Sequence, residues 1–394
     1  MAEQQAPNQR LQRTLLRQGY GGPLSRQPLG VGITYSGPLQ SDQTRLALVA
    51  LLVSLSWPAC HASAAEAPKP QDLKIPAGPI TLAARLFLPA GAGPFPAMVF
   101  THGSGPSGRD NGRYQEEANF FVASGIACLV YDKRGYGEST GDWKVATFDD
   151  LAADAIATVE YLKGRPEVDP HRIGLRGASQ SGWLLPLAAA HSSDIAFLIL
   201  ISPPGVTPYD QVLYDVRTDL EDAGFSPTEV ASALVITRSG LDYARTGQGW
   251  AEHEKRLQAA AHQRWLEIAS GPPDPNDWLW KWIHPLIDFD VLPVVRGLRI
   301  PILVLLGEQD REVPSQTAGY LLQKALSGND RAAIRYFPAG DHDLRSTTAP
   351  KVHGRAPLVT GYLETIKDWV LASGLLVAGC HGEGSAREHS GRHP

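Results

Sequence analysis

The segment IGLRGASQSGWLLPLAAA, residues 173–190, decides the fold. An apolar run, Ile173 to Leu175, meets a turn of small residues holding Ser179 and Ser181, and a long apolar stretch follows. A serine exposed on a tight strand–turn–helix junction needs small residues two before and two after it, because the strained turn leaves no space for neighbouring Cβ atoms. Ser179 has Gly177 before it and Ser181 after it, a near match to a pattern that ordinarily ends in glycine. Ser181 would need glycine at positions 179 and 183 and finds Ser179 and Trp183 there. Ser179 is therefore the better candidate nucleophile, and the rest of the chain has to arbitrate.

Outward from this segment, short apolar runs alternate with amphipathic stretches from Ile80 onward, the pattern of a mostly parallel sheet with helices on both faces. Strands are expected over 80–88, 97–103, 127–135, 173–179, 195–204, 300–310 and 332–340. Several are apolar at consecutive positions, as strands covered on both faces are. Phe148, Leu151, Ala152, Ala155, Ile156, Val159 and Leu162 recur at steps of three and four and predict a helix that Gly164-Arg165-Pro166 stops. Residues 113–124 and 357–373 read the same way. Residues 205–295 break the rhythm: Trp250, Trp265, Trp278, Trp280 and Trp282 stand in charged helical text without a strand of comparable strength. This stretch reads as an inserted helical cap. Most of its tryptophans are expected to pack within the cap and onto the core, with one or two facing a substrate pocket.

The chain has 394 residues, a net charge of −5 and 43% hydrophobic residues, which suits a globular protein of one large or two smaller domains. Mild acidity without a Lys/Arg-dense stretch gives no footprint for nucleic acid. Residues 1–44 are rich in Gln, Arg, Gly and Pro and read as disordered, or as sequence upstream of a mis-assigned start. Residues 45–64 combine Arg45, a short apolar core and the small-x-small site Ala62-Ser63-Ala64, as in a secretory signal peptide. The expected location is periplasmic or secreted, without stable membrane insertion after cleavage. Trp57 stands where a lipidation motif prefers Leu and argues against a lipidated Cys60. With three cysteines a disulfide framework is not expected, and Cys128, in an apolar run, reads as a small buried side chain. The tail 375–394 holds Cys380 and several histidines at no metal-ligand spacing, and reads as disorder.

Acyl transfer by a serine needs a base, an acid to orient the base, and N–H donors for the oxyanion. VFTHGSGPSGRDN can aim the backbone N–H of Ser104 at an oxyanion, with the N–H of Gln180 as the second donor. In LLGEQDREVP, Asp310 closes an apolar strand at the carboxyl end of the sheet, where open α/β folds place their sites. In FPAGDHDLRS, His342 lies in a turn after the last strand; its neighbours Asp341 and Asp343 reach its ring poorly, which favours Asp310 as the acid. Ser179, Asp310 and His342 thus each follow a predicted strand, in that chain order.

THGSGPSGRDN, YDKRGYGESTGD, GASQSGWLLPLAAA, PILVLLGEQDREVP and FPAGDHDL together resemble the α/β-hydrolase superfamily, particularly its bacterial esterase and dienelactone-hydrolase-like branches, over roughly residues 75–373. The resemblance implies an α/β-hydrolase fold, with core segments 65–204 and 296–374 around the cap 205–295. It implies Ser179 as nucleophile, Asp310 as acid, His342 as base, Ser104 and Gln180 as oxyanion donors, and Asp132, Arg134 and Gly135 as a structural turn. Ser181 departs from the family's glycine and bears on how closely strand and helix pack at the turn. The expected enzyme is a serine hydrolase acting on a carboxylic ester through an acyl-enzyme, with no metal or organic cofactor. The runner-up is a serine peptidase of prolyl or aminopeptidase type acting on a short peptide, for which DLEDAG (219–224) would supply carboxylates to a substrate amine. A non-catalytic binding protein on the same fold, and acyl transfer to an acceptor other than water, are the remaining alternatives.

Overall fold

The computed structural model describes residues 68–352 and 354–376. The expected signal segment 45–64, the stretch before it, Cys60 and Cys380 lie outside the described residues. Strands β1 (Gln71–Ala77) and β2 (Ile80–Phe87) form an antiparallel hairpin, and β2 also pairs antiparallel with β4 (Ala127–Tyr131). The strands β3 (Phe95–Thr101), β4, β5 (Val168–Ala178), β6 (Phe197–Ile201), β7 (Ile302–Gly307) and β8 (Ala332–Phe337) pair in parallel. The sheet order is β1-β2-β4-β3-β5-β6-β7-β8. It is the mostly parallel sheet that the alternating text predicts, with β1 added as an edge strand.

Helices α1 (Gly112–Ala123), α2 (Phe148–Lys163) and α3 (Ser181–His191) make the crossovers between β3 and β4, β4 and β5, and β5 and β6. A capping box, Thr147 with Asp150, starts α2, and Gly164 ends it. The FLILI run of β6 is apolar throughout because both its faces are covered. Leu198 and Leu200 join Leu151, Val159 and Leu184 in one core layer, whereas Phe197, Ile199 and Ile201 join Phe121, Tyr362 and Ile366 in the other. The second layer is closed by the helix Tyr362–Leu376, which begins later than the predicted 357–373. Before it, isolated bridges join Arg345 with Leu358 and Val352 with Arg355.

Between β6 and β7 run α4 (Pro208–Asp222), α5 (Pro227–Thr246), α6 (Trp250–Ala259), α7 (Leu266–Ala269), α8 (Trp278–Ile283) and α9 (Leu292–Gly297). Trp265, Trp280 and Trp282 are buried. Trp280 stands edge-on to Trp250 and Tyr243, while Trp278 and Trp282 meet Trp143 of the β4–α2 connection edge-on, at centroid separations of 5.5 and 6.4 Å. The last two contacts dock α8 onto the sheet side of the molecule. Cys128 is fully buried within β4. Among the described residues no helix is long and apolar enough to cross a membrane.

Candidate active site

Pairing of Ala178 with Ile201, Ile201 with Leu305 and Gly307 with Phe337 aligns the carboxyl ends of β5 to β8 along one edge of the sheet. Ser179 follows β5 there with φ of 54°, in the left-handed region that a non-glycine residue rarely occupies. Such a backbone costs on the order of 1–3 kcal/mol and persists only where its surroundings hold it. Here the Ser179 N–H donates to Ile201 O at 2.8 Å, and α3 begins two residues on. The space around the turn is accounted for atom by atom. A Cβ on Gly177 would lie 2.1 Å from Thr101 Oγ1 and 2.3 Å from Ser181 Oγ, so the volume next to Gly177 is already filled by the Ser181 side chain. The Ser181 hydroxyl is fully buried, 2.8 Å from Thr101 Oγ1, and donates to His102 O at 2.8 Å. Serine in place of glycine is therefore seated by two hydrogen bonds onto the end of β3.

His342 reaches the same edge from the loop after β8. Gly307, at the end of β7, lets that loop approach: a Cβ there would stand 2.4 Å from the carbonyl oxygens of Gly340 and Asp341. Ser202, the residue after β6, bonds Leu305 O through its N–H and His342 O through its hydroxyl, both at 2.8 Å. One chain of contacts thus runs from Ser179 through Ile201 and Ser202 to the backbone of His342. Asp310 is buried, and its Oδ2 lies 2.8 Å from His342 Nδ1. Its Oδ1 accepts the N–H groups of Glu312 and Val313 at 2.8 and 2.9 Å, which fixes the plane of the carboxylate. The two neighbouring acids are engaged elsewhere. Asp341 Oδ1 accepts from Asp343 N and Arg345 N, and Asp343 pairs with Arg113.

Burial pulls the His342 imidazole down, yet the Asp310 carboxylate on one nitrogen and the Glu312 carboxylate, 3.8 Å from Nε2, outweigh it and raise the ring above its ordinary value. Glu312 is a residue that sequence reading passed over. The cap reaches this loop as well: Gln211 Nε2 donates to Glu312 O at 2.8 Å, Tyr214 Oη donates to Asp310 O at 3.1 Å, and Thr218 Oγ1 bonds Arg311 O. Glu221 and Asp222, two of the three carboxylates of the DLEDAG stretch, pair with Arg311 at 3.0 Å each.

On the other side, Ser104 is half-buried in the loop after β3, and Gln180 is buried at the entry to α3, where the Gly182 and Trp183 N–H groups donate to Ser179 O and Gln180 O. Between them lies Lys133, also passed over in the sequence, buried and 2.9 Å from Gly103 O, 3.1 Å from Gly105 O and 2.9 Å from Gln180 Oε1. Burial lowers its ammonium to about 7 against the opposing pull of Asp154. Asp132, Arg134 and Gly135 occupy the turn around it. Asp132 accepts from Arg109 and Glu138, while Arg134 donates twice to Asp154. No three His, Cys, Asp or Glu side chains cluster to hold a metal among the described residues.

Residues 78–335 match the family model described as X-Pro dipeptidyl-peptidase (S15 family). The chain belongs to the S15 family. Esterase EstD of Thermotoga maritima is 27% identical over 266 residues, covering 66% of this chain and 57% of its own length. The quorum-quenching protein AidA of Acinetobacter baumannii is 30% identical over 251 residues, 63% of this chain and 81% of its own. The solved structure of Est1E from Butyrivibrio proteoclasticus with ferulic acid bound is 19% identical, with a TM-score of 0.48 and coverage of 78% of this chain and 98% of that one. This S15-family chain is a member of the α/β-hydrolase superfamily. It spans little more than half the length of EstD.

Proposed function

We propose that this protein hydrolyses a carboxylic ester through an acyl-enzyme on Ser179, with His342 as base, Asp310 as its orienting acid, and the N–H groups of Ser104 and Gln180 as oxyanion donors. The observation that carries the proposal is the buried Asp310–His342 pair at 2.8 Å, at the sheet edge where Ser179 occupies its left-handed turn. The carboxylate holds a proton on Nδ1 and leaves Nε2 basic. Ser179 Oγ attacks the carbonyl carbon as its proton passes to Nε2, and the carbonyl oxygen takes the charge. Collapse of the tetrahedral intermediate breaks the ester C–O bond, and the alcohol leaves with the proton from Nε2. Water then repeats the sequence on the acyl-serine and frees the acid.

An ester is favoured over a peptide because two of the three carboxylates that DLEDAG offers to a substrate amine, Glu221 and Asp222, are taken up by Arg311. The peptide reading keeps one support besides the family description: Glu312 lies near Nε2 of His342, where a cationic group of a substrate would meet it. Initial rates on p-nitrophenyl acyl esters and on dipeptidyl-proline p-nitroanilides separate the two. Esters should be turned over faster, and Ser179→Ala should lose about 10³-fold or more. Faster cleavage of the anilides would transfer the assignment to a peptidase. The Arg45–Ala64 stretch supports export to the periplasm or medium, which N-terminal sequencing of the protein from its native host would test through a start near Ala65.

A further inference from the structure

Lys133 has no carboxylate against its ammonium. All three partners that its Nζ touches are neutral oxygens: the carbonyls on either side of Ser104 and the side-chain amide of Gln180. An ammonium has three hydrogens, so these contacts use its full donor capacity. Taking a charge out of water costs several kcal/mol, and a neutral side chain of similar shape would avoid it. The arrangement therefore calls for an account of what three bonds to these particular oxygens achieve.

Peptide geometry gives it. The Gly103–Ser104 peptide is trans, so its C=O and N–H point in opposite directions. A donor that draws Gly103 O toward Lys133 turns the Ser104 N–H away from Lys133 and polarises it as a donor. The bond to Gly105 O fixes the Gly105–Pro106 peptide on the far side of Ser104, and the two together hold the orientation of the loop at Ser104. The third bond ties this loop to Gln180, the residue after Ser179, where β3 and β5 end side by side. Lys133 itself is held in register: its N–H donates to Ser107 O at 3.0 Å, and Asp132 beside it receives Arg109 N at 2.8 Å and Arg109 Nη2 at 2.9 Å. The Trp143 ring lies 5.8 Å from Nζ and helps to cover it.

We propose that Lys133 is a positioning residue for the oxyanion donors, its ammonium setting the Gly103–Ser104 peptide and Gln180 so that both N–H groups address one point. The inference rests on the reading of Ser179, Ser104 and Gln180 given above. Oxyanion donors act most strongly on charge that develops in the transition state, so their misalignment lowers kcat and leaves ground-state binding almost untouched.

The test uses the full chain, p-nitrophenyl butyrate as substrate and a fluorophosphonate to count active sites at the end-point of labelling. Lys133→Met keeps the length and removes the donors. It should lower kcat per labelled site by about 10²-fold with KM within about threefold of wild type. Gln180→Met removes one of the three ties while keeping the backbone N–H, and should lower kcat by about tenfold with a similar KM. This second variant decides the matter if Lys133→Met does not fold. A merely structural lysine predicts something else, a lower melting temperature and fewer labelled sites with an undiminished kcat at each; that result overturns the proposal. If wild type is not labelled at Ser179 at all, the reading of the nucleophile has failed, and the inference about Lys133 fails with it.

Discussion

Asp310→Asn removes one charge and leaves the shape of the side chain, and the structure dictates which way the amide must face. Oδ1 of Asp310 receives two backbone N–H groups, from Glu312 and Val313, at 2.8 and 2.9 Å. An amide nitrogen in that position would leave both N–H groups facing a donor, at about 1–3 kcal/mol for each buried group left unsatisfied. The amide oxygen therefore keeps that place, and the NH₂ group turns to His342 Nδ1, which is 2.8 Å from Oδ2 in the native protein. Two donors cannot face each other. The ring adopts the tautomer in which Nδ1 accepts and Nε2 carries the proton, so Nε2 can no longer take a proton from Ser179. The expected loss is about 10⁴-fold in kcat, equivalent to about 5.4 kcal/mol of transition-state stabilisation. Steady-state hydrolysis of p-nitrophenyl butyrate, with folding verified by circular dichroism, measures it. A variant within about tenfold of wild type would mean that the tautomer of His342 has no consequence for turnover.

Other perturbations follow from the same contacts. Glu312→Gln removes one of the carboxylates that raise His342, so the acid limb of the kcat/KM profile should move to lower pH; an unmoved limb would mean that this charge is not felt at the ring. Burial lowers the His102 ring to about 3, so it stays neutral in the fold while the unfolded chain takes up a proton below about 6.5. Its contribution to stability is therefore complete above pH 6.5 and is lost as pH falls toward 3, by about 2 kcal/mol between pH 7 and 5. Urea unfolding of His102→Phe at those two pH values should show a shallower fall than wild type, and parallel curves would contradict the assignment. Ser181→Gly should cost about 1–2 kcal/mol through its two lost hydrogen bonds while esterase activity is retained. Gly177→Ala should cost about 3 kcal/mol or more by overpacking against Thr101 and Ser181, and the double variant with Ser181→Gly should recover part of it; strictly additive losses would show that the two side chains do not compete for one space.

Much of the fold can be read from the chain because a strand buried on both faces leaves an uninterrupted apolar run. β6 and β7 read clearly as FLILI and ILVLLG. β1, QDLKIPA, does not: it is an edge strand with polar residues exposed along much of its length, and only its pairing with β2 makes it a strand. The last helix starts later than its periodicity suggests because Leu358 is taken by a bridge to Arg345, a partner that helical periodicity does not register. At the site, Ser179, Asp310 and His342 stand out because each follows a strand and carries side-chain chemistry that a turn alone does not need. Lys133 and Glu312 gave no such signal. A lysine in DKRG and a glutamate in DREV read as surface charges, and only the tertiary approach of Gly103, Gly105 and Gln180 to the first, and of His342 to the second, distinguishes them. Ser181, a departure from pattern in the sequence, is explained by atoms of β3 that lie far from it along the chain.

Every catalytic role proposed above depends on Ser179 being an activated nucleophile. Labelling of the purified protein with a fluorophosphonate, followed by peptide mapping of the adduct, tests it without a guess about substrate. A single adduct on Ser179 is expected, lost in Ser179→Ala and strongly diminished in His342→Ala. An adduct on another serine, or none on a folded protein, would contradict it.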